Sequence, residues 1–84
     1  MTVIKKSGNR EDYITEKLSQ SLHRANEGTG EKIDINSLAV DFYQIVEGKA
    51  FITTQHIDII VCGLLYTQGF VKTLAAFASY EKKN

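Results

Sequence analysis

Glycine cuts this chain into short pieces, and that punctuation limits the available folds more than any other feature of the sequence. Ser7-Gly8-Asn9, Gly28-Thr29-Gly30, Gly48 and Gly69 fall between segments whose apolar residues each follow a simple pattern. Segments with a period near 3.6 predict helices, and short β-branched ones predict strands. Thr2 to Lys6 and Arg10 to Ile14 are short, carry β-branched or aromatic residues and flank the Ser7-Gly8-Asn9 turn signal, which predicts a β-hairpin. Thr15 is placed to cap a helix from about Glu16 to Asn26, with Leu18, Leu22 and Ala25 on one face. Gly28-Thr29-Gly30 ends that helix.

A second helix starts at Asp34 or Asn36, carries Leu38, Phe42, Ile45 and Val46, and stops at Gly48. Ala50-Phe51-Ile52-Thr53 is apolar and β-leaning, and a third strand there supports the hairpin, which is marginal in water by itself. Thr54 is expected to cap a third helix running to about Thr67, with Ile57, Ile60, Val61, Leu64 and Leu65 inward. Beyond Gly69 a fourth helix carries Phe70, Leu74, Phe77 and Ala78, and Glu81-Lys82-Lys83-Asn84 is expected to be its solvated end. The expected fold is α+β, a four-helix bundle capped by a small two- to three-stranded sheet, in one domain over residues 1–84.

Composition narrows the function. Lys plus Arg number 10 and Asp plus Glu number 10, so no overall field draws the chain to nucleic acid or an anionic membrane, and an anion site has to be local. The run Leu74-Ala75-Ala76-Phe77-Ala78 offers few groups for reading bases, which argues further against DNA binding. The longest uncharged apolar run, Ile59 to Tyr66, falls far below the roughly 18 residues that span a bilayer, and a cytoplasmic location is the expectation. One cysteine, Cys62, has no partner in the chain for a disulfide or a cysteine-based zinc site, and packing is its expected role.

Signatures of catalysis are missing from the pattern. His23 and His56 stand apart on separate helices without Cys or Ser partners nearby, and are expected at the surface. Gly28-Thr29-Gly30-Glu31-Lys32 lacks the Gly-Lys-Ser/Thr of a phosphate loop and has no strand leading into it, so it reads as a linker. More informative are Lys5, Lys6 and Arg10 around the first turn, followed by Lys17 at the start of the first helix. A Lys at a helix N-terminus opposes the dipole unless an anion lies close by. A two-residue Gly8-Asn9 loop pairs Lys6 with Glu11, whereas a three-residue Ser7-Gly8-Asn9 loop sets Lys5 opposite Glu11 and Val3 opposite Tyr13. The second register puts an apolar patch, a carboxylate that can accept from an exocyclic amine, and a Lys for phosphate on one surface. A solvated hairpin with ordinary cross-strand ion pairs accounts for the same residues.

The stretch Val3-Ile4-Lys5-Lys6-Ser7-Gly8-Asn9-Arg10-Glu11, followed by Glu16-Lys17-Leu18 and Ile52-Thr53-Thr54-Gln55-His56-Ile57, resembles the ATP-cone. That family forms the nucleotide-sensing regulatory domain of ribonucleotide reductases and occurs in the repressor of their genes. The resemblance covers nearly the whole chain and rests first on a Val-x-Lys-Arg-Asp-Gly type hairpin with Glu three positions after the Gly. It implies that Val3 and Leu18 line an adenine pocket, that Glu11 and Thr54 bond the nucleotide, and that Lys5, Lys6 and Lys17 hold the phosphates. Here Lys6-Ser7-Gly8 stands where the family has Arg-Asp-Gly, and Ala76, Phe77 and Ala78 occupy the last helix where family members often place an Arg.

The function so implied is binding of ATP or dATP, with magnesium, by an allosteric module that is not itself an enzyme. Its expected partners are the catalytic or radical-generating subunit of a ribonucleotide reductase, in the same chain or another, or further copies in a homo-oligomer. A reductase needs a radical cysteine plus a redox pair, and the repressor needs a four-cysteine zinc ribbon; one Cys supplies neither. The rival expectation is a protein-interaction module that keeps the cone fold and has lost its nucleotide.

Overall fold

The structure is a computed structural model that describes residues 1–83, with side chains through residue 79. Strands β1 (Thr2–Ile4) and β2 (Arg10–Asp12) pair antiparallel, with Thr2 opposite Asp12, Val3 opposite Glu11 and Ile4 opposite Arg10. The turn between them is Lys6-Ser7-Gly8: the Lys5 amide donates to the Asn9 carbonyl at 2.9 Å and the Gly8 amide donates to the Lys5 carbonyl at 2.8 Å. Neither register anticipated from the turn signal forms. A three-residue loop of this kind ends on a residue in the left-handed region, and Gly8 at φ +89° takes that last position rather than the middle one. The loop therefore starts one residue earlier, and pairing shifts by two. Because side chains alternate with period two, Val3, Lys5, Glu11 and Tyr13 still share one face of the sheet.

The third strand, β3 (Phe51–Thr53), joins the free edge of β1 in parallel, with Val3 opposite Ile52, giving the order β2-β1-β3. The Thr2 amide extends that ladder by donating to the Ala50 carbonyl at 3.0 Å. Between β2 and β3 lie helices α1 (Thr15–Asn26) and α2 (Ile35–Val46); after β3 come α3 (Thr54–Thr67) and α4 (Val71–Lys83). The fold is thus α+β, four helices with a three-stranded mixed sheet. Helix α1 packs on α2 and α4, and α3 packs on the same two helices.

Two expected caps fall elsewhere. Thr15 is the first residue of α1, and Ile14 holds the N-cap position with no side-chain hydrogen bond. The cause is the sheet: the Tyr13 amide donates to the Met1 carbonyl at 2.9 Å, which keeps the chain extended through Ile14. Likewise Thr53, not Thr54, caps α3, its hydroxyl accepting from the His56 amide at 3.1 Å. For α2 the cap is Asp34, which accepts from the Ser37 amide. Helix α3 ends in paired hydrogen bonds, Gly69 amide to Tyr66 carbonyl and Phe70 amide to Leu65 carbonyl, with Gly69 at φ +83°. This is the Schellman arrangement that a glycine after the last turn permits.

The core joins Val3, Leu18, Leu22, Ile35, Leu38, Phe42, Val46, Ile52, Val61, Leu65 and Phe77. Ile45, expected beside them, is half exposed: it sits about 100° around α2 from Val46 and points away from the buried stripe. On α3 only Val61 and Leu65 are fully buried, with Ile57, Ile60, Cys62 and Leu64 packed part-buried against the core. His23 and His56 are exposed. The expected solvated end at Glu81-Lys82-Lys83-Asn84 lies outside the described side chains.

The segment read as a linker organises the start of α4. The Glu31 carboxylate accepts from the backbone amides of Lys72 (3.1 Å) and Thr73 (2.7 Å) and from the Thr73 hydroxyl (2.7 Å). It therefore caps a helix some forty residues away, at the end where the dipole favours an anion. Asn26 Nδ2 completes the cluster, donating to the Glu31 carbonyl at 2.8 Å and to the hydroxyls of Thr73 (3.1 Å) and Thr29 (3.2 Å). Thr73 is fully buried, and this network satisfies its hydroxyl. Desolvation pushes the Glu31 carboxyl upward, but the donors from Thr73 and Lys72 together hold it below its ordinary value of 4.5.

Since the folded state binds that proton less readily than the unfolded chain, the ionised cap stabilises the fold above pH 4.5 and the effect fades as the pH falls through the lowered folded value. Glu31→Gln is expected to be less stable than wild type at neutral pH, with the gap narrowing below about pH 4.5 in urea melts run across pH. Phe42 is completely buried, and Phe42→Ala is expected to cost about 3–5 kcal/mol in the same measurement.

Candidate functional site

The sheet face that carries Val3 and Glu11 turns toward the start of α1 and α3, and the gap between them is a cavity of about 160 Å³. Apolar side chains Val3, Leu18, Ile57 and Phe77 contribute to its wall, and Glu11, Lys17, Thr54 and Asp58 add polar groups. Each comes from a different local cause. Val3 and Glu11 are directly opposed in the antiparallel ladder, so their side chains share a face. Lys17 and Leu18 lie in the first turn of α1, delivered there by the ladder that runs on into Tyr13. Because Thr53 caps α3, the hydroxyl of Thr54 is not the one that holds the His56 amide, and Thr54 lies against the cavity.

Glu11 is the electrostatic centre. One carboxylate oxygen lies 3.5 Å from Lys5 Nζ and the other 3.6 Å from Lys17 Nζ. The two Lys side chains are 47% and 59% exposed, and both separations exceed the roughly 2.7–2.9 Å of a tight charged hydrogen bond, so each pair is weak and easily exchanged. The anion that a Lys at a helix N-terminus calls for is, in this structure, a carboxylate of the chain itself.

The cavity thus gathers Val3, Glu11, Lys17, Leu18 and Thr54, and Lys5 reaches it through Glu11. Lys6 is not brought into it: it lies in the exposed turn. Sequence reasoning missed Asp12, Ser21, Asp58 and Phe77, all of which line the cavity. Helical spacing carried a signal for two of them, since Ser21 stands four residues after Lys17 and Asp58 four after Thr54. Phe77 had none, because only the docking of α4 brings it in.

Tyr13 closes the side toward α2, with its ring 5.8 Å from that of Phe42 and 6.2 Å from that of Tyr43. Burial raises its hydroxyl above the usual phenol value of 10.0, Thr15 offsets part of the rise, and the nearby Tyr43 and Glu16 add to it. That hydroxyl has no well-formed hydrogen bond among the described residues. A second depression, of about 500 Å³, runs along α2 past Val40, Tyr43 and Glu47, but no cation among the described residues lines it. Chemically, the first cavity suits a flat apolar ring with a donor for Glu11 and an anionic tail directed at Lys5 and Lys17. At about 160 Å³ it is smaller than the roughly 300–1,000 Å³ that enclose a whole ligand, so a tail has to lie across the rim.

The family model for the ATP cone domain matches residues 1–84, essentially the whole chain. Comparison with curated proteins gives no match. Domains of this family are nucleotide-binding regulatory modules rather than catalytic ones.

The corrected cap yields a test of the geometry around Thr54. Thr53→Ala is expected to lower stability by about 1 kcal/mol, whereas Thr54→Ala is expected to stay within roughly 0.5 kcal/mol of wild type in denaturant titrations.

Proposed function

The chain belongs to the ATP-cone family, and from that premise we propose that it senses ATP or dATP on behalf of a ribonucleotide reductase. Val3 and Leu18 hold the adenine, Glu11 accepts from its exocyclic amine, Thr54 bonds the nucleotide, and Lys5 and Lys17 hold the phosphates. Lys6, in the exposed turn, meets the far end of the phosphate tail. The observation that carries this reading is the placement of one carboxylate and two ammonium groups beside an apolar cavity. Magnesium accompanies the phosphates as their counter-ion. The partners in this proposal are the catalytic or radical-generating subunit, in cis or in trans, or further copies of the cone, in the cytoplasm. Regulation follows from linkage: if ATP and dATP favour different packings of the helices, each shifts assembly only by its differential affinity for them.

A second reading, a protein-interaction module without nucleotide, draws on the apolar side chains left at the surface. Ile45, Phe51, Ile59 and Tyr66 are 52–70% exposed, which is the raw material of a contact between chains. Thermal melts with magnesium and ATP, dATP or GTP separate the two. At a hundred times its Kd, ATP is expected to add about 2.7 kcal/mol, or about 10–20 °C in Tm for a domain of this size. Lys5→Ala and Lys17→Ala are each expected to abolish the shift. A wild-type protein that melts at the same temperature with every nucleotide, and whose sedimentation shows self-association, supports the second reading instead.

A further inference from the structure

We propose that Glu11 makes this site reject bare polyphosphate, so that it admits an anionic ligand only when the other end of that ligand donates hydrogen bonds. The inference deepens the nucleotide reading above and rests on it. Its starting point is the distribution of charge. Glu11 shares the cavity face of the sheet with Val3, and its carboxylate lies between the ammonium groups of Lys5 and Lys17, so the positive charge there is already partly neutralised. A polyanion therefore meets two ammonium groups that already share a carboxylate, although both are well placed to bind one.

Glu11 is the group on which this depends, because its two oxygens engage both lysines at once. A phosphate arriving at Lys5 and Lys17 has either to displace the carboxylate or to lie next to it. Displaced, the carboxylate loses both partners; retained, it repels the newcomer. A ligand that carries an amine or hydroxyl at its apolar end removes the conflict: its donor satisfies Glu11 while its tail takes over the ammonium groups. Inorganic triphosphate has the tail and lacks the donor. Both ion pairs are long and exposed, so the exchange is easy for the right ligand and the discrimination is moderate.

Calorimetric titration of wild type, Glu11→Gln and Glu11→Asp with magnesium ATP and with inorganic tripolyphosphate tests this. Wild type is expected to bind tripolyphosphate at least about tenfold more weakly than ATP, and Glu11→Gln is expected to bind tripolyphosphate roughly five- to tenfold more tightly than wild type does. Glu11→Asp keeps the charge and is expected to keep the rejection. Glu11 is partly exposed, so both variants are expected to melt near the wild-type temperature, which the same samples check. If wild type binds ATP and Glu11→Gln gains nothing on tripolyphosphate, the inference is overturned while the nucleotide reading stands. If wild type binds neither ligand, the nucleotide reading itself fails, and this inference with it.

Discussion

Strand β1 has to satisfy backbone hydrogen bonds on both of its edges, and nearly everything that matters about the site follows from how it does so. Its three residues pair with β2 on one side and with β3 on the other, one antiparallel and one parallel. The first pairing places Glu11 beside Val3. The second fixes β3, and since Thr53 both closes that strand and caps α3, it also fixes the point from which α3 departs. A cavity between the hairpin and two helix starts is the geometric result. Remove either ladder and Val3, Glu11 and Thr54 no longer belong to one surface.

The fourth helix is held by a different force. Glu31, on a short connection between α1 and α2, supplies the acceptors that the amides of Lys72 and Thr73 require. Phe77, one helical turn beyond Thr73, then reaches the cavity wall. An ionised side chain in a connecting segment thus fixes one wall of a cavity to which it does not itself belong. The same physics operates in miniature at the rim, where the Glu11 carboxylate rests between two ammonium groups. In both places an anion of the chain occupies a position that favours negative charge. The difference lies in exchangeability: the bonds to Glu31 are as short as 2.7 Å and reach a fully buried Thr73, whereas the contacts of Glu11 are longer than 3.4 Å and open to solvent.

Much of the architecture was legible in the chain. The order of seven elements and the turn residues that separate them follow from glycine placement and apolar period, both local properties. The buried face of α1 followed as well, and that of α2 in part: Leu38, Phe42 and Val46 point inward, Ile45 does not, and the buried Ile35 and Ala39 were not anticipated. Some of what misled lies where a tertiary bond competes with a local preference. Thr15 has the chemistry of a cap, but the Tyr13 to Met1 hydrogen bond holds the cap position one residue earlier. Gly28 to Lys32 has the composition of a linker, and nothing local reveals that Glu31 serves a distant helix.

The candidate site divides along the same line. By itself the sequence determined that positive charge clusters near the first turn and the first helix, that one carboxylate lies within reach of it, and that the domain is α+β, because charge, period and turn chemistry are carried by neighbours in the chain. Only the tertiary structure decided that Val3 faces Glu11, that Lys5 and Lys17 share a single carboxylate, and that Asp58 and Phe77 join them. The reason is physical: the hairpin register depends on which loop position can accept a left-handed backbone, and the approach of α3 and α4 depends on bonds between residues far apart in sequence. No local pattern encodes that approach, whereas the register turns on whether Gly8 closes the loop or sits in its middle, and the turn signal fits both.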